Sequence, residues 1–236
     1  MHLSILEVGR PPAEIAEDWP RYPETFDELL RPHMPDLKTS SIAVDEGEDL
    51  PEPGDADGFL ITGSKAGVYD DLPWIDPLLA FIQKAHRTEK PLIGICFGHQ
   101  AIAHALGGHA AKSAAGWGVG VHRYQVDRRP DWMEPMTDSF RLNGFHQDQV
   151  ERLPEGATVF ASSPFCAYAG FEIGSAFCVQ GHPEFSAAYE RALLDLRRQL
   201  IGEANYTRAV ASLSQDTEAD LIAQWIARFL DQRLHP

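Results

Sequence analysis

The stretch Pro91-Leu92-Ile93-Gly94-Ile95-Cys96-Phe97-Gly98-His99-Gln100-Ala101-Ile102-Ala103-His104-Ala105-Leu106-Gly107-Gly108 decides how the chain folds. Residues 91–95 are an apolar run opened by a proline, which reads as a buried strand. Residues 101–106 read as a helix that stops at the glycine pair 107–108. Between them stands Cys96, with a glycine two residues to either side. A strand that turns at once into a helix forces its backbones close together, which glycine permits, and pushes the central side chain into the open. This G-x-C-x-G pattern is the cysteine version of a nucleophile elbow. A helix start also favours the thiolate form, because its unpaired amides and dipole attract negative charge. A cysteine buried only for packing is the bland alternative, and the two flanking glycines argue against it.

Upstream, the apolar run at residues 3–8, a helical stretch at 25–30 and a second strand at 42–44 alternate as in a parallel sheet with crossover helices. An acidic segment rich in proline and glycine, residues 47–57, leads into a strand at 58–62 that stops at Gly63. Trp74, Ile75, Leu78, Leu79 and Ile82 then recur at helical spacing, with Asp76 as the expected N-cap and Pro77 in the first turn. Downstream, short strand-like runs at 119–126, 157–161, 167–171 and 176–180 point to a mixed sheet. From Ser186 the pattern returns to helix. Leu221, Ile222, Trp225, Ile226, Phe229 and Leu230 form a stripe of period near 3.6, expected to pack on the chain's own core rather than on a second copy. The expectation is one α/β domain over residues 1–236, a doubly wound mixed sheet with a C-terminal helical extension at about 187–236. The nucleophile would sit at the carboxyl end of a central strand.

Twenty lysines and arginines face 35 acidic residues, a formal charge of −15. Such a field repels nucleic-acid backbones and anionic lipid, so neither is an expected partner. No basic and apolar leader opens the chain and no apolar run reaches the ~18 residues of a membrane span, so a cytoplasmic location is expected. The three cysteines, Cys96, Cys166 and Cys178, form no C-x-x-C pair and are read as thiols.

A cysteine nucleophile needs a base, and the base an orienting group. Gln180-Gly181-His182-Pro183-Glu184-Phe185 offers both, since residues i and i+2 of an extended segment face the same side. Glu184 can hold one imidazole nitrogen of His182 while the other faces the thiol. His99, His104 and His109 lie on or just past the helix that follows Cys96 and are explained by packing or exposure.

These two segments resemble the signature of the class I glutamine amidotransferases, the glutaminase modules of GMP synthetase, carbamoyl-phosphate synthetase and anthranilate synthase. The resemblance extends to Thr62-Gly63-Ser64 with Val68-Tyr69-Asp70, in the place of that family's oxyanion loop. It also takes in Phe145-His146-Gln147-Asp148, similar to the family's serine-histidine-glycine-aspartate segment; together the motifs cover about residues 58–186. It implies a flavodoxin-like fold and a triad of Cys96, His182 and Glu184 that breaks the γ-glutamyl amide of glutamine through a thioester. It further implies an oxyanion hole of the Gly63 and Phe97 backbone amides, substrate contacts from Gln100, His146, Gln147 and Ser64, and no metal or organic cofactor. Thr62-Gly63-Ser64 departs from the glycine-glycine-proline of synthetase-linked members, and Gln147 replaces a glycine. Both departures resemble the stand-alone branch, which includes GMP-synthetase-like proteins and plant γ-glutamyl peptidases.

Three functions follow for comparison. A glutaminase subunit would pass ammonia to a separate acceptor synthetase. A free-standing γ-glutamyl hydrolase would act alone on γ-glutamyl peptides or amides. A redox-sensing binding protein would use only an exposed thiol and would have no need of His182 and Glu184.

Overall fold

The computed structural model describes residues 1–235. In chain order its elements are β1 (His2–Glu7), α1 (Tyr22–Leu30), β2 (Lys38–Ala43), β3 (Gly58–Ile61), α2 (Ile75–Arg87), β4 (Leu92–Ile95), α3 (Phe97–Ala105), β5 (His109–Lys112) and β6 (Gly118–Val126). They continue with β7 (Ser139–His146), β8 (Asp148–Arg152), β9 (Thr158–Ser162), β10 (Gly170–Ile173), β11 (Ala176–Val179), α4 (Ala187–Ile201), α5 (Glu203–Ser212) and α6 (Ala219–Leu234). Nine strands form one sheet in the order β2-β1-β3-β4-β11-β10-β9-β6-β7, and β5 pairs with β8 apart from it. The half from β2 to β11 is parallel and the half from β11 to β7 antiparallel, so the sheet is mixed, as expected.

Both faces of the parallel half are covered, which is why its strands read as continuous apolar runs rather than alternating ones. On β4, Ile93 and Ile95 join the core shared with α1 and α6, while Leu92 joins the core under α2 and α3. The same division on β1 sends Leu3 and Ile5 one way and Leu6 the other. With helices on both faces and β4 between β3 and β11, the carboxyl ends of three parallel strands converge on one edge. That edge carries Gly63, Cys96 and His182.

The C-terminal stripe packs as expected. Ile222, Trp225, Ile226, Phe229 and Leu230 are fully buried, and the Trp225 ring lies 5.5 Å from Phe140 and 6.1 Å from Trp132.

Several boundaries differ from the sequence reading. α1 starts at Tyr22, three residues early, where Glu24 reaches back to accept from the Arg21 amide at 3.2 Å. α2 is capped at Trp74, and Asp76 sits inside its first turn, where a negative charge still favours the helix dipole. α3 begins immediately after Cys96, so Phe97 to Gln100 belong to the helix. β2 ends at Ala43 and Val44 enters a 3₁₀ turn. The strand expected at 167–171 is β10, at Gly170–Ile173. β5, β7 and β8 were not expected, because charged and polar residues break their apolar pattern.

Candidate active site

Cys96 is the residue at which β4 becomes α3. It holds φ 52° and ψ −101°, a conformation that costs a side-chain-bearing residue on the order of 1–3 kcal/mol. The surrounding backbone enforces it: the Cys96 amide donates to Val179 O at 3.0 Å, and the Gln100 amide donates back to Cys96 O at 3.1 Å. The flanking glycines are required by space. A Cβ on Gly98 would stand 2.2 Å from Ile61 O, and one on Gly94 would stand 2.7 Å from Gly98 O. Cys96 is buried, 4% exposed, rather than in the open as the elbow pattern suggested, and it stands at the head of α3, where first-turn amides have no partner within the helix.

His182 and Glu184 lie at the end of β11. The imidazole Nδ1 meets Glu184 Oε1 at 2.7 Å, and the Glu184 side chain is wholly buried. Burial opposes charge on His182, yet the Glu184 carboxylate and the hydrogen-bonded Cys96 sulfur hold its pKa well above the usual imidazole value. With Nδ1 committed to Glu184, Nε2 is the nitrogen left for the thiol. The ring is stacked on Phe185, 3.9 Å between centroids and 7° from parallel, which fixes its plane. The structure therefore brings Cys96, His182 and Glu184 together.

Gly63 adjoins them: a Cβ there would meet His182 Cε1 at 2.8 Å. Its carbonyl accepts from the Thr62 hydroxyl at 3.2 Å, and that hydroxyl accepts from the Val8 amide at 3.1 Å, so the loop peptide is held from behind. Ser64 is half-buried and its Oγ accepts from the Ala66 amide at 3.2 Å, within the same loop. Tyr69 Oη donates to Asp148 Oδ2 at 2.8 Å, which ties this loop to the start of β8.

The remaining expected contacts are more deeply embedded. Gln100 Nε2 donates to Asp148 O at 2.9 Å and to Gln180 Oε1 at 3.1 Å, so both its N–H bonds are taken up inside the protein. His146 is buried, its Nδ1 lies 3.1 Å from Asp148 O, and its Nε2 has no protein partner among the described residues. Desolvation, aided by His122, pushes His146 down to about 3, so it is neutral. Gln147 is half-buried and contributes its carbonyl to the Ser113 amide at 3.0 Å. His99 is fully buried against Phe171 and plays the packing part expected of it. Burial pushes the Cys166 thiol up to about 12 and holds Cys178 well above the usual thiol value, which marks both as core residues.

The family profile described as "Glutamine amidotransferase class-I" matches residues 34–195. The chain belongs to the class I glutamine amidotransferases. Gamma-glutamyl peptidase 3 of Arabidopsis thaliana is 36% identical over 137 residues, covering 55% of this chain and 55% of that one, so the match spans about half of that relative's length. A gamma-glutamyl-L-1-hydroxyisopropylamide hydrolase of a Pseudomonas species is 29% identical over 194 residues, 77% of this chain and 66% of that one. Among solved structures, a glutamine amidotransferase of Thermotoga maritima superposes with a TM-score of 0.74 over 100% of both chains at 19% identity, a likeness of fold.

Two residues of this amidotransferase escaped the sequence reading. Gln180 Nε2 lies 3.6 Å from Cys96 Sγ and donates to it, which places the sulfur at the end of a relay from Asp148 through Gln100. Its signal was present, because positions 180, 182 and 184 share one side of an extended segment. Asn143 on β7 accepts from the His182 amide through its carbonyl at 2.8 Å and donates from Nδ2 to Phe185 O at 2.7 Å. It thereby grips both ends of the His182 to Phe185 turn, and nothing in its local sequence announces that.

Proposed function

We propose that this chain is a cysteine hydrolase of γ-glutamyl amide bonds, with Cys96 as nucleophile, His182 as proton carrier and Glu184 as the group that orients it. In this reading the Cys96 sulfur attacks the side-chain carbonyl carbon of a γ-glutamyl amide, and the thiol proton passes to His182. The C–N bond then breaks as His182 returns the proton to the leaving nitrogen, releasing ammonia from glutamine or an amine from a γ-glutamyl peptide or amide. Water, deprotonated by His182, opens the γ-glutamyl thioester and frees glutamate and the thiol. The amides of Gly63 and Phe97 are assigned the two oxyanions, a role in which one donor is worth about 3–4 kcal/mol. Gln100, His146, Gln147 and Ser64 are assigned to the frame that receives the glutamyl group.

The observation that carries this reading is the short contact of buried Glu184 with His182 beside a strained cysteine at a helix start. The names of the Arabidopsis and Pseudomonas relatives favour a free-standing hydrolase over a subunit that hands ammonia to a separate synthetase. Purified chain incubated with glutamine and, separately, with glutathione, in wild-type and Cys96→Ser forms, tests it. Release of glutamate from the peptide by wild type alone is the expected result. Turnover of glutamine only would favour the ammonia-delivering subunit, and turnover that survived Cys96→Ser would overturn the reading.

A further inference from the structure

Against the turn Pro183 to Ser186 lies a cavity of about 370 Å³, closed on its other side by the segment around Trp19 to Leu29; Cys96 is not among its walls. Four aromatic residues line it: Trp19, Tyr22, Phe185 and Tyr189. Their rings do not stack. Trp19 meets Tyr189 at 64°, Tyr22 meets Tyr189 at 81°, and Phe185 meets Tyr189 at 77°, with centroids 4.7–6.2 Å apart. The hydroxyls of Tyr22 and Tyr189 are bonded to each other at 2.9 Å, so what these residues offer a ligand is ring surface. The free charge among the lining side chains is Glu28, which is exposed, since the carboxylate of Glu184 is wholly buried against His182. Among the described residues, no lysine or arginine lines the cavity.

We propose that this cavity is a binding site for a small organic ammonium ion, an alkylamine or quaternary ammonium. Half-buried Trp19 offers a π-face to a cation, the more deeply buried Tyr22, Phe185 and Tyr189 offer apolar contact, and Glu28 adds a carboxylate. The chain's overall charge of −15 favours cations over anions as ligands. A neutral apolar ligand of the same shape gains neither term, and an anion would face Glu28 unopposed. The cavity adjoins the reaction centre: Glu184 and Phe185, the ring on which His182 is stacked, both stand in its wall. The inference does not depend on the reaction assigned to Cys96.

Isothermal titration of the full chain with choline chloride, and with its uncharged isostere 3,3-dimethyl-1-butanol, tests the proposal. Saturable one-site binding of choline is expected, with the isostere at least ~10-fold weaker. Trp19→Ala should weaken choline binding about tenfold, and Glu28→Gln severalfold, by an amount that shrinks as salt is added. Glu28 is a surface residue, so its variant keeps the fold and the test stands even where Trp19→Ala does not fold. Absence of saturable binding, equal affinity for the isostere, or unchanged choline affinity in Glu28→Gln would overturn it.

Discussion

Asn143 touches none of the reacting atoms, yet its two hydrogen bonds hold the turn that carries His182 and Glu184. Replacing its side chain leaves the backbone bond to His182 and removes the one to Phe185, freeing the ring on which the imidazole is stacked. Asn143→Ala should therefore cost about 1 kcal/mol of stability and lower kcat roughly tenfold or more with little change in KM. Thermal melting and steady-state kinetics on a γ-glutamyl substrate measure both, and an unchanged kcat would remove Asn143 from the positioning frame. At this scale the sequence was most legible where chemistry and local geometry coincide. Cys96 is bracketed by glycines that the backbone contacts require, and His182 and Glu184 are two apart on an extended segment. Asn143 was not legible because its role comes from a bridge between β7 and the end of β11, 39 residues away along the chain (182 − 143). Gln180 carried the same period-2 signal as His182 and Glu184, but an amide donating to sulfur has no sequence pattern of its own.

Among the elements, β3, β4 and β11 were readable because strands buried on both faces are uniformly apolar. β7 hid for the opposite reason: Arg141, Asn143 and Gly144 interrupt it, and its strand character depends on pairing with β6. α6 was legible from its stripe alone. Trp225 stands at the centre of that stripe, buried against Phe140 and Trp132, so Trp225→Ala should destabilise the chain by about 3–5 kcal/mol. Chemical denaturation followed by far-UV circular dichroism reads that loss. A change in self-association with stability intact would show instead that the stripe belongs to an interface between copies.

Over the whole molecule, stability depends on pH through groups that burial shifts in opposite directions. Desolvation pushes His99 and His146 down to about 3, and it lowers His86, His104 and His122 as well. As pH falls from about 6.5, the unfolded chain takes up protons that these folded sites refuse, so acid costs stability, at up to about 1.4 kcal/mol per pH unit for each of the fully buried His99 and His146. Glu190, fully buried with Oε1 accepting from the Gly120 amide at 3.0 Å, is pushed up to about 8 by desolvation. Between its ordinary value and 8 the folded chain holds the extra proton, so stability falls as pH rises through that range. His182, raised by Glu184 and Cys96 against the effect of burial, contributes in the same sense above about 6.5. The melting temperature should peak near pH ~6.5. Glu190→Gln should flatten the decline from there to pH 8 by about 1.4 kcal/mol per unit. An identical decline in the variant would show that Glu190 is already ionised in the folded state.

Covalent labelling by the glutamine-like electrophile 6-diazo-5-oxo-norleucine, followed by peptide mass spectrometry, bears most directly on the claim that Cys96 is an activated nucleophile set to receive a γ-glutamyl group. The expected result is one adduct, on the peptide that contains Cys96, absent in His182→Ala, with Cys166 and Cys178 unlabelled. An adduct confined to another residue, or none on Cys96 in the folded wild-type chain, would contradict it.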